Sequence, residues 1–168
     1  MADLERLWAP WRSEFVSRRR TPTRCIFCAA ERSTRDREHH VVARGPTVFA
    51  LLNRYPYNNG HLMIAPNRHV GNLEALKPAE WVGIFRMSQQ LMRRIRQTIH
   101  PHGFNVGLNL GRAAGAGIPG HLHMHIVPRW NGDTNFLPVV GHTKIVSQSL
   151  DELYTRLTRG ARAHATLK

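Results

Sequence analysis

Residues 121–127 read His-Leu-His-Met-His-Ile-Val, with an imidazole at every second position and an apolar side chain between. Successive side chains of an extended strand point to opposite faces. The pattern predicts a strand over 121–129 with His121, His123 and His125 on one face and Leu122, Met124 and Ile126 on the core side. Three imidazoles in strict alternation, directly after the small-residue loop 112–120, point to chemistry rather than to a solvated face. Several imidazoles can hold a catalytic metal. Alternatively, one can act as a nucleophile while its neighbours fix its tautomer and handle protons. The outer pair of the row stand about 13 Å apart by strand rise. That spacing is poor for converging on one ion, so the nucleophile reading is geometrically easier.

The rest of the chain supplies the frame for such a strand. VVAR (41–44) and TVFALLN (47–53) are strand-like and separated by the turn pair Gly45-Pro46. Asn59-Gly60 is the strongest hairpin signal, and HLMIAP (61–66) follows it as a third strand. Residues 78–99 carry Trp81, Ile84, Phe85, Leu91, Met92, Ile95 and Ile99 mostly at helical spacing, with Pro78 in the first turn and Pro101 just beyond the end. FNVGLNLG (104–111) reads as a fourth strand. A C-terminal helix is expected over 147–160, with Leu150, Leu153, Tyr154 and Leu157 on one face. The stripe over 4–17 is helical but interrupted by Pro10, and the polar segment 29–40 is expected to be a mobile loop. Strands, one long helix and strands again give an α+β fold: an antiparallel sheet of about five strands with a long helix and a C-terminal helix. The 168 residues suit a single domain, with 1–40 as an N-terminal extension, 41–130 as the core ending in the histidine row, and 131–168 as a C-terminal segment.

Charge and cysteine usage narrow the function classes. The formal net charge is +13, and only three of the 24 cations are lysines, Lys77, Lys144 and Lys168. Arginine's planar donor fork suits phosphate. The arginines are scattered, Arg18–Arg19–Arg20 being the one run, so a zinc-stabilised nucleic-acid-binding module is the less favoured reading. No apolar run approaches the ~18–20 residues that span a bilayer. MADLERLWAPWR lacks the apolar stretch of a signal peptide, which leads us to expect a cytoplasmic protein without membrane attachment. The two cysteines, Cys25 and Cys28, form a C-x-x-C. In a cytosolic chain this is a redox pair or half of a metal site. Zinc would need two further ligands, and eleven histidines are available.

Taken with its flanks, the row resembles the signature of the histidine triad superfamily. LNRYPYNNGHLMIAPNRH (52–69) looks like that family's upstream hairpin. GFNVGLNLGRAAGAGIPGHLHMHIVPRWNGDTNF (103–136) is similar to its fragile-histidine-triad branch. LWAPWR (7–12) and the VPRWNGDTNF tail resemble the bacterial diadenosine tetraphosphate phosphorylase members of that branch, and the resemblance covers nearly the whole chain. It implies an antiparallel sheet with helices, a homodimer and a nucleotide substrate. It also implies a reaction in which the middle histidine, here His123, attacks an α-phosphorus to form a covalent nucleotidyl-histidine that water or phosphate resolves. His125 would contact the phosphate or bridging oxygen near the leaving group, and His121 would buttress His123. Leu51 and Met63 match an apolar clamp for the base, Asn53 a ribose contact, His61 a supporting histidine and Asn109 a phosphate contact. Gly115 and Gly117 lie in the small-residue loop, where backbone N–H groups can approach phosphate.

Hydrolases of the branch carry a Gln shortly before the triad; AGAGIPG (114–120) has none, which favours phosphate over water as acceptor. A nucleoside phosphoramidate or adenylate hydrolase is the alternative within the enzymes. Some relatives hold a structural zinc, and the matching ligands here are Cys25, Cys28, His69 and His121.

Overall fold

The computed structural model describes residues 25–133 and 148–159. The expected broken helix over 4–17 lies outside these residues. The described chain runs α1 (Ile26–Arg32), α2 (Asp36–His39), β1 (Val41–Arg44), β2 (Val48–Leu52), β3 (Leu62–Pro66), a 3₁₀ turn (Leu73–Ala75), α3 (Pro78–Ile99), β4 (Gly103–Leu108), β5 (Met124–Arg129) and α4 (Leu150–Arg159). The strands form one antiparallel sheet in the order β1-β2-β3-β5-β4. Among the described residues no helix is long and apolar enough to cross a membrane.

Strand periodicity divides the sheet into two faces, each with its own core. Val48, Ala50, Leu52, Leu62, Ile64, Leu122, Met124 and Ile126 turn to one face and meet Ile84, Met87, Leu91 and Ile95 of α3 and Leu153, Tyr154 and Leu157 of α4. Phe49, Leu51, Met63 and Ala65 turn to the other face, where Phe27 and Ala30 of α1 cover them. β2 and β3 are therefore buried along their whole length. Both faces being covered explains why their sequences are continuously apolar rather than alternating.

The ends of α3 are fixed locally. The Glu80 carboxylate accepts the Lys77 backbone N–H at 2.8 Å, and Arg68 donates to both Glu80 oxygens at 3.1 and 2.9 Å. At the far end His100 adopts a left-handed conformation (φ 49°) and its N–H closes on the Arg96 carbonyl. Phe85 departs from the expected buried stripe. It is 58% exposed and stacks on Trp81, because α3 needs only one face against the sheet. α4 begins three residues later than expected, with the Ser149 hydroxyl accepting the Glu152 N–H in its first turn.

Two expectations are corrected. Residues 29–40 are not a loop: α1 and α2 occupy most of the segment. α1 buries only Phe27 and Ala30, and two apolar positions in seven residues leave a polar sequence without visible periodicity. Strand pairing in the histidine row begins at Met124 rather than at 121, so His121 and His123 lie on the extended approach to β5. The approach is held by Val70, whose carbonyl accepts the Leu122 N–H at 2.7 Å.

The next residue makes that approach sterically tight. A Cβ on Gly71 would lie 2.7 Å from the Pro119 carbonyl oxygen and 3.1 Å from the Gly120 Cα. These are backbone atoms, which no side-chain rotation relieves. Gly71→Ala is therefore expected to destabilise the protein by about 1–3 kcal/mol, the usual cost of overpacking. Equilibrium denaturation of the variant checks it; an unchanged midpoint would mean that the 118–121 segment yields freely.

Candidate active site

Four buried histidines meet on the face of the sheet that carries α1: His61, His121, His123 and His125. A neutral imidazole has one N–H and one lone pair, so its partners define its tautomer. The Tyr57 backbone N–H points at His61 Nδ1 (3.1 Å), which must therefore accept. His61 Nε2 then carries the hydrogen and donates to His125 Nδ1 at 2.9 Å. His125 is left with its hydrogen on Nε2, and among the described residues that buried atom has no hydrogen-bond partner. His123 has the opposite polarity. Its Nδ1 donates to the His121 carbonyl at 2.8 Å, which leaves the Nε2 lone pair free. The rings of His123 and His125 are 4.8 Å apart at 70°. One lone pair and one N–H thus lie on neighbouring rings of a buried pocket, the combination needed to attack an electrophile and hold the charge that leaves it.

His121 takes part through its backbone. Its carbonyl orients His123, while its ring serves a second cluster. His121 Nε2 donates to the Pro66 carbonyl at 2.9 Å, which turns the Nδ1 lone pair towards the cysteines. Cys25 Sγ lies 3.3 Å and Cys28 Sγ 3.6 Å from His121 Nδ1, and Cys28 Sγ is 3.2 Å from His69 Nδ1. All four donor atoms fall within 4.8 Å of one another. Ligand atoms around tetrahedral zinc, at bond lengths of ~2.0–2.3 Å, stand roughly 3.3–3.8 Å apart. The residues therefore fit such an ion, and the Pro66 carbonyl supplies the outer hydrogen bond that metal-bound histidines usually make.

Leu51 and Met63 are direct cross-strand partners, and Met63 in turn pairs with His125. They lie side by side in the smaller core and form one apolar surface next to the histidines rather than two opposed walls. Asn53 sits just beyond β2 and joins the histidine relay. Its Oδ1 accepts the Tyr55 N–H at 2.9 Å, an Asx turn, and its Nδ2 donates to His61 Nδ1 at 3.2 Å. Half of its hydrogen-bonding capacity is thereby in use inside the protein. Asn109 is half-buried beside Gly115, whose added Cβ would fall 3.8 Å from the Asn109 Nδ2. Gly115 has φ +88°, a conformation that favours glycine, and its N–H is bonded to the Arg112 carbonyl instead of being free for a ligand. Gly117 lies further along the same loop, in a bend.

Two contributors are absent from the motif reading. Phe27, between the two cysteines and fully buried, packs on His123 (centroids 4.7 Å apart) and His121 (5.1 Å). Tyr57 packs on His61 (4.6 Å) and His125 (5.7 Å). The signal for each was available only as an aromatic residue inside a motif, C-x-F-C and PYNNGH.

A family model described as the HIT domain matches residues 34–132. The AP-4-A phosphorylase of Mycobacterium tuberculosis is 44% identical over 154 residues, covering 88% of this chain and 79% of that protein. A zinc-bound histidine triad family protein from Mycobacterium smegmatis superposes with a TM-score of 0.66 at 24% identity, covering 85% of this chain and 97% of that one. The diadenosine triphosphate hydrolase of Plasmodium falciparum gives 0.61 at 16% identity, with 74% and 78% covered. These two share the fold with the chain.

Burial, with the neighbouring His123 second, pushes the His125 imidazole down to about 4. Burial also lowers His123 and His121. An unfolded histidine titrates near 6.5, so between roughly pH 6.5 and 4 the unfolded chain binds the extra proton. The contribution of His125 to stability is thus complete above pH 6.5 and declines as pH falls towards 4. NMR of the labelled imidazole is expected to show His125 still neutral at pH 5.5, with its hydrogen on Nε2; a protonated ring at that pH would contradict burial as the cause of the shift.

Proposed function

The chain belongs to the HIT domain family, and on that premise we propose that it is a nucleotidyl-transferring enzyme that cleaves diadenosine polyphosphates. The observation that carries this reading is the pairing of a free His123 Nε2 lone pair with the unpartnered Nε2–H of His125. In the reaction proposed, the His123 Nε2 lone pair forms a bond to the α-phosphorus of a bound dinucleotide. The bond from that phosphorus to the bridging oxygen breaks, and its electron pair stays on the leaving polyphosphate. His125 Nε2–H donates a hydrogen bond to that oxygen as charge grows there. The nucleotidyl-imidazole keeps its Nδ1–H on the His121 carbonyl, which supports the positive charge on the ring. An oxygen of inorganic phosphate then attacks the phosphorus, and the P–N electrons return to Nε2. With diadenosine tetraphosphate the products are ADP and ATP. Phosphate is favoured over water because the loop 114–120 offers no Gln side chain to the scissile group.

Around this centre we assign the base to the apolar surface of Leu51 and Met63, a ribose hydroxyl to the remaining capacity of Asn53, and phosphate oxygens to Asn109 and the loop containing Gly115 and Gly117. Zinc would be held by Cys25, Cys28, His69 and His121. A filled tetrahedral shell of this kind is structural, with no open position for substrate. Burial pushes the Cys28 thiol up, with Cys25 adding to the effect, and a bound cation would reverse that preference by stabilising thiolate. A homodimer is proposed as well, joined along β4, one of the two outer strands of the sheet, where Val106 is exposed and Gly103 and Gly107 open onto free space.

Product analysis tests the chemistry. Diadenosine tetraphosphate with phosphate is expected to give ADP and ATP; AMP and ATP, unchanged by phosphate, would assign water as the acceptor. His123→Ala should fold and bind nucleotide yet lose roughly a thousandfold or more in kcat, since loss of a nucleophile has no substitute. Near-normal turnover of that variant would remove the covalent mechanism. Metal analysis of protein purified without added metal is expected to return about one zinc per chain, with both thiols protected until a chelator is added. Metal-free protein with freely titratable thiols would reject the site.

A further inference from the structure

We propose that Tyr57 is a positioning residue whose ring keeps the His61–His125 hydrogen bond closed and so holds the Nε2–H of His125 towards the leaving group. The inference rests on the reading of His125 as the group beside the leaving oxygen, and on the geometry of the hairpin that follows β2. The Tyr57 ring lies at 31° to both imidazoles, 4.6 Å from His61 and 5.7 Å from His125. It is 45% exposed, whereas the two histidines it covers are 1% and 8% exposed. The ring thus borders solvent on one side and the relay on the other.

Its place is set from below. The buried Asn58 donates to the Pro128 carbonyl at 3.1 Å and to Asp133 Oδ2 at 2.8 Å, which fastens the hairpin to the end of β5. The Tyr57 backbone N–H already fixes the tautomer of His61. The backbone contact survives any side-chain substitution, so the two contributions of Tyr57 can be separated.

The consequence of opening this cover is chemical. Water reaching the 2.9 Å bond between His61 Nε2 and His125 Nδ1 would compete for both partners. A His125 released from His61 can shift its hydrogen to Nδ1 and turn a lone pair, instead of an N–H, towards the leaving oxygen. Negative charge growing on that oxygen would then be opposed rather than stabilised. Hydrogen bonds of this kind are stronger in a dry site. The penalty must therefore grow with the basicity of the leaving group, which a purely structural role would not produce.

The test compares adenosine 5′-aryl phosphates, from the p-nitrophenyl to the p-methylphenyl ester, by the single-turnover release of phenol that accompanies nucleotidylation of His123. Tyr57→Ala is expected to slow the p-methylphenyl ester by about tenfold, a part of the ~10²–10⁴-fold that a positioned proton donor supplies, and the p-nitrophenyl ester much less. Its leaving-group dependence should therefore be steeper than that of the wild type, with KM little changed and the thermal midpoint held. Tyr57→Phe should keep the shallow dependence, since the ring is what covers the relay. Equal slowing of all esters by Tyr57→Ala would overturn the proposal, as would a Tyr57→Phe profile matching that of Tyr57→Ala. Release of phenol by His123→Ala at the wild-type single-turnover rate would instead overturn the nucleotidyl-His123 reading on which the proposal rests.

Discussion

Burying imidazoles side by side imposes a constraint that organises this site: each ring brings one N–H and one lone pair, and a buried polar atom without a partner is costly. The protein resolves most of that demand with its own backbone. The Tyr57 amide sets His61, the His121 carbonyl sets His123, and the Pro66 carbonyl sets His121. What is left over is the His125 Nε2–H and the His123 Nε2 lone pair. The polarity of the pocket follows from hydrogen bonds made around its rim.

The same bonds connect the active centre to the cysteine cluster. His121 belongs to both, offering its ring to Cys25 and Cys28 and its carbonyl to His123. Phe27 makes a second link, since α1 places it between the cysteines and against both imidazoles. A disturbance of the cysteine cluster is therefore transmitted to His123 by two routes, one through the backbone and one through ring packing. Neither route needs the cluster to touch substrate.

Periodicity made the larger elements legible. The alternation at 121–127 separated the histidine face from the core face, and the spacing over 78–99 matched α3 at both ends. Short elements were not legible: α1 shows only two buried residues, too few to define a period. The candidate metal cluster followed from the family resemblance rather than from residue types alone, and the structure does bring Cys25, Cys28, His69 and His121 together from positions up to 96 residues apart. Hydrogen-bond roles were not readable, because a tautomer depends on partners distant in sequence. The Asn53 amide illustrates this. Its residue type suits a ribose hydroxyl and a turn equally, and only the positions of Tyr55 and His61 show that it already makes the turn.

The two-faced packing of β5 bears on how the sequence can change over time. Met124 lies between His123 and His125 yet belongs to the opposite core, where Ser88 reaches its sulfur. A single residue inserted or deleted in this stretch would exchange the two faces, sending imidazoles into the oily core and apolar side chains into the reactive pocket. Length variation here is therefore lethal to fold and chemistry together, whereas the loop that precedes it is freer to gain or lose residues. Divergence among such proteins should accordingly accumulate as changes in loop length before the segment packed on Gly71, and as side-chain replacement alone from there to the end of β5.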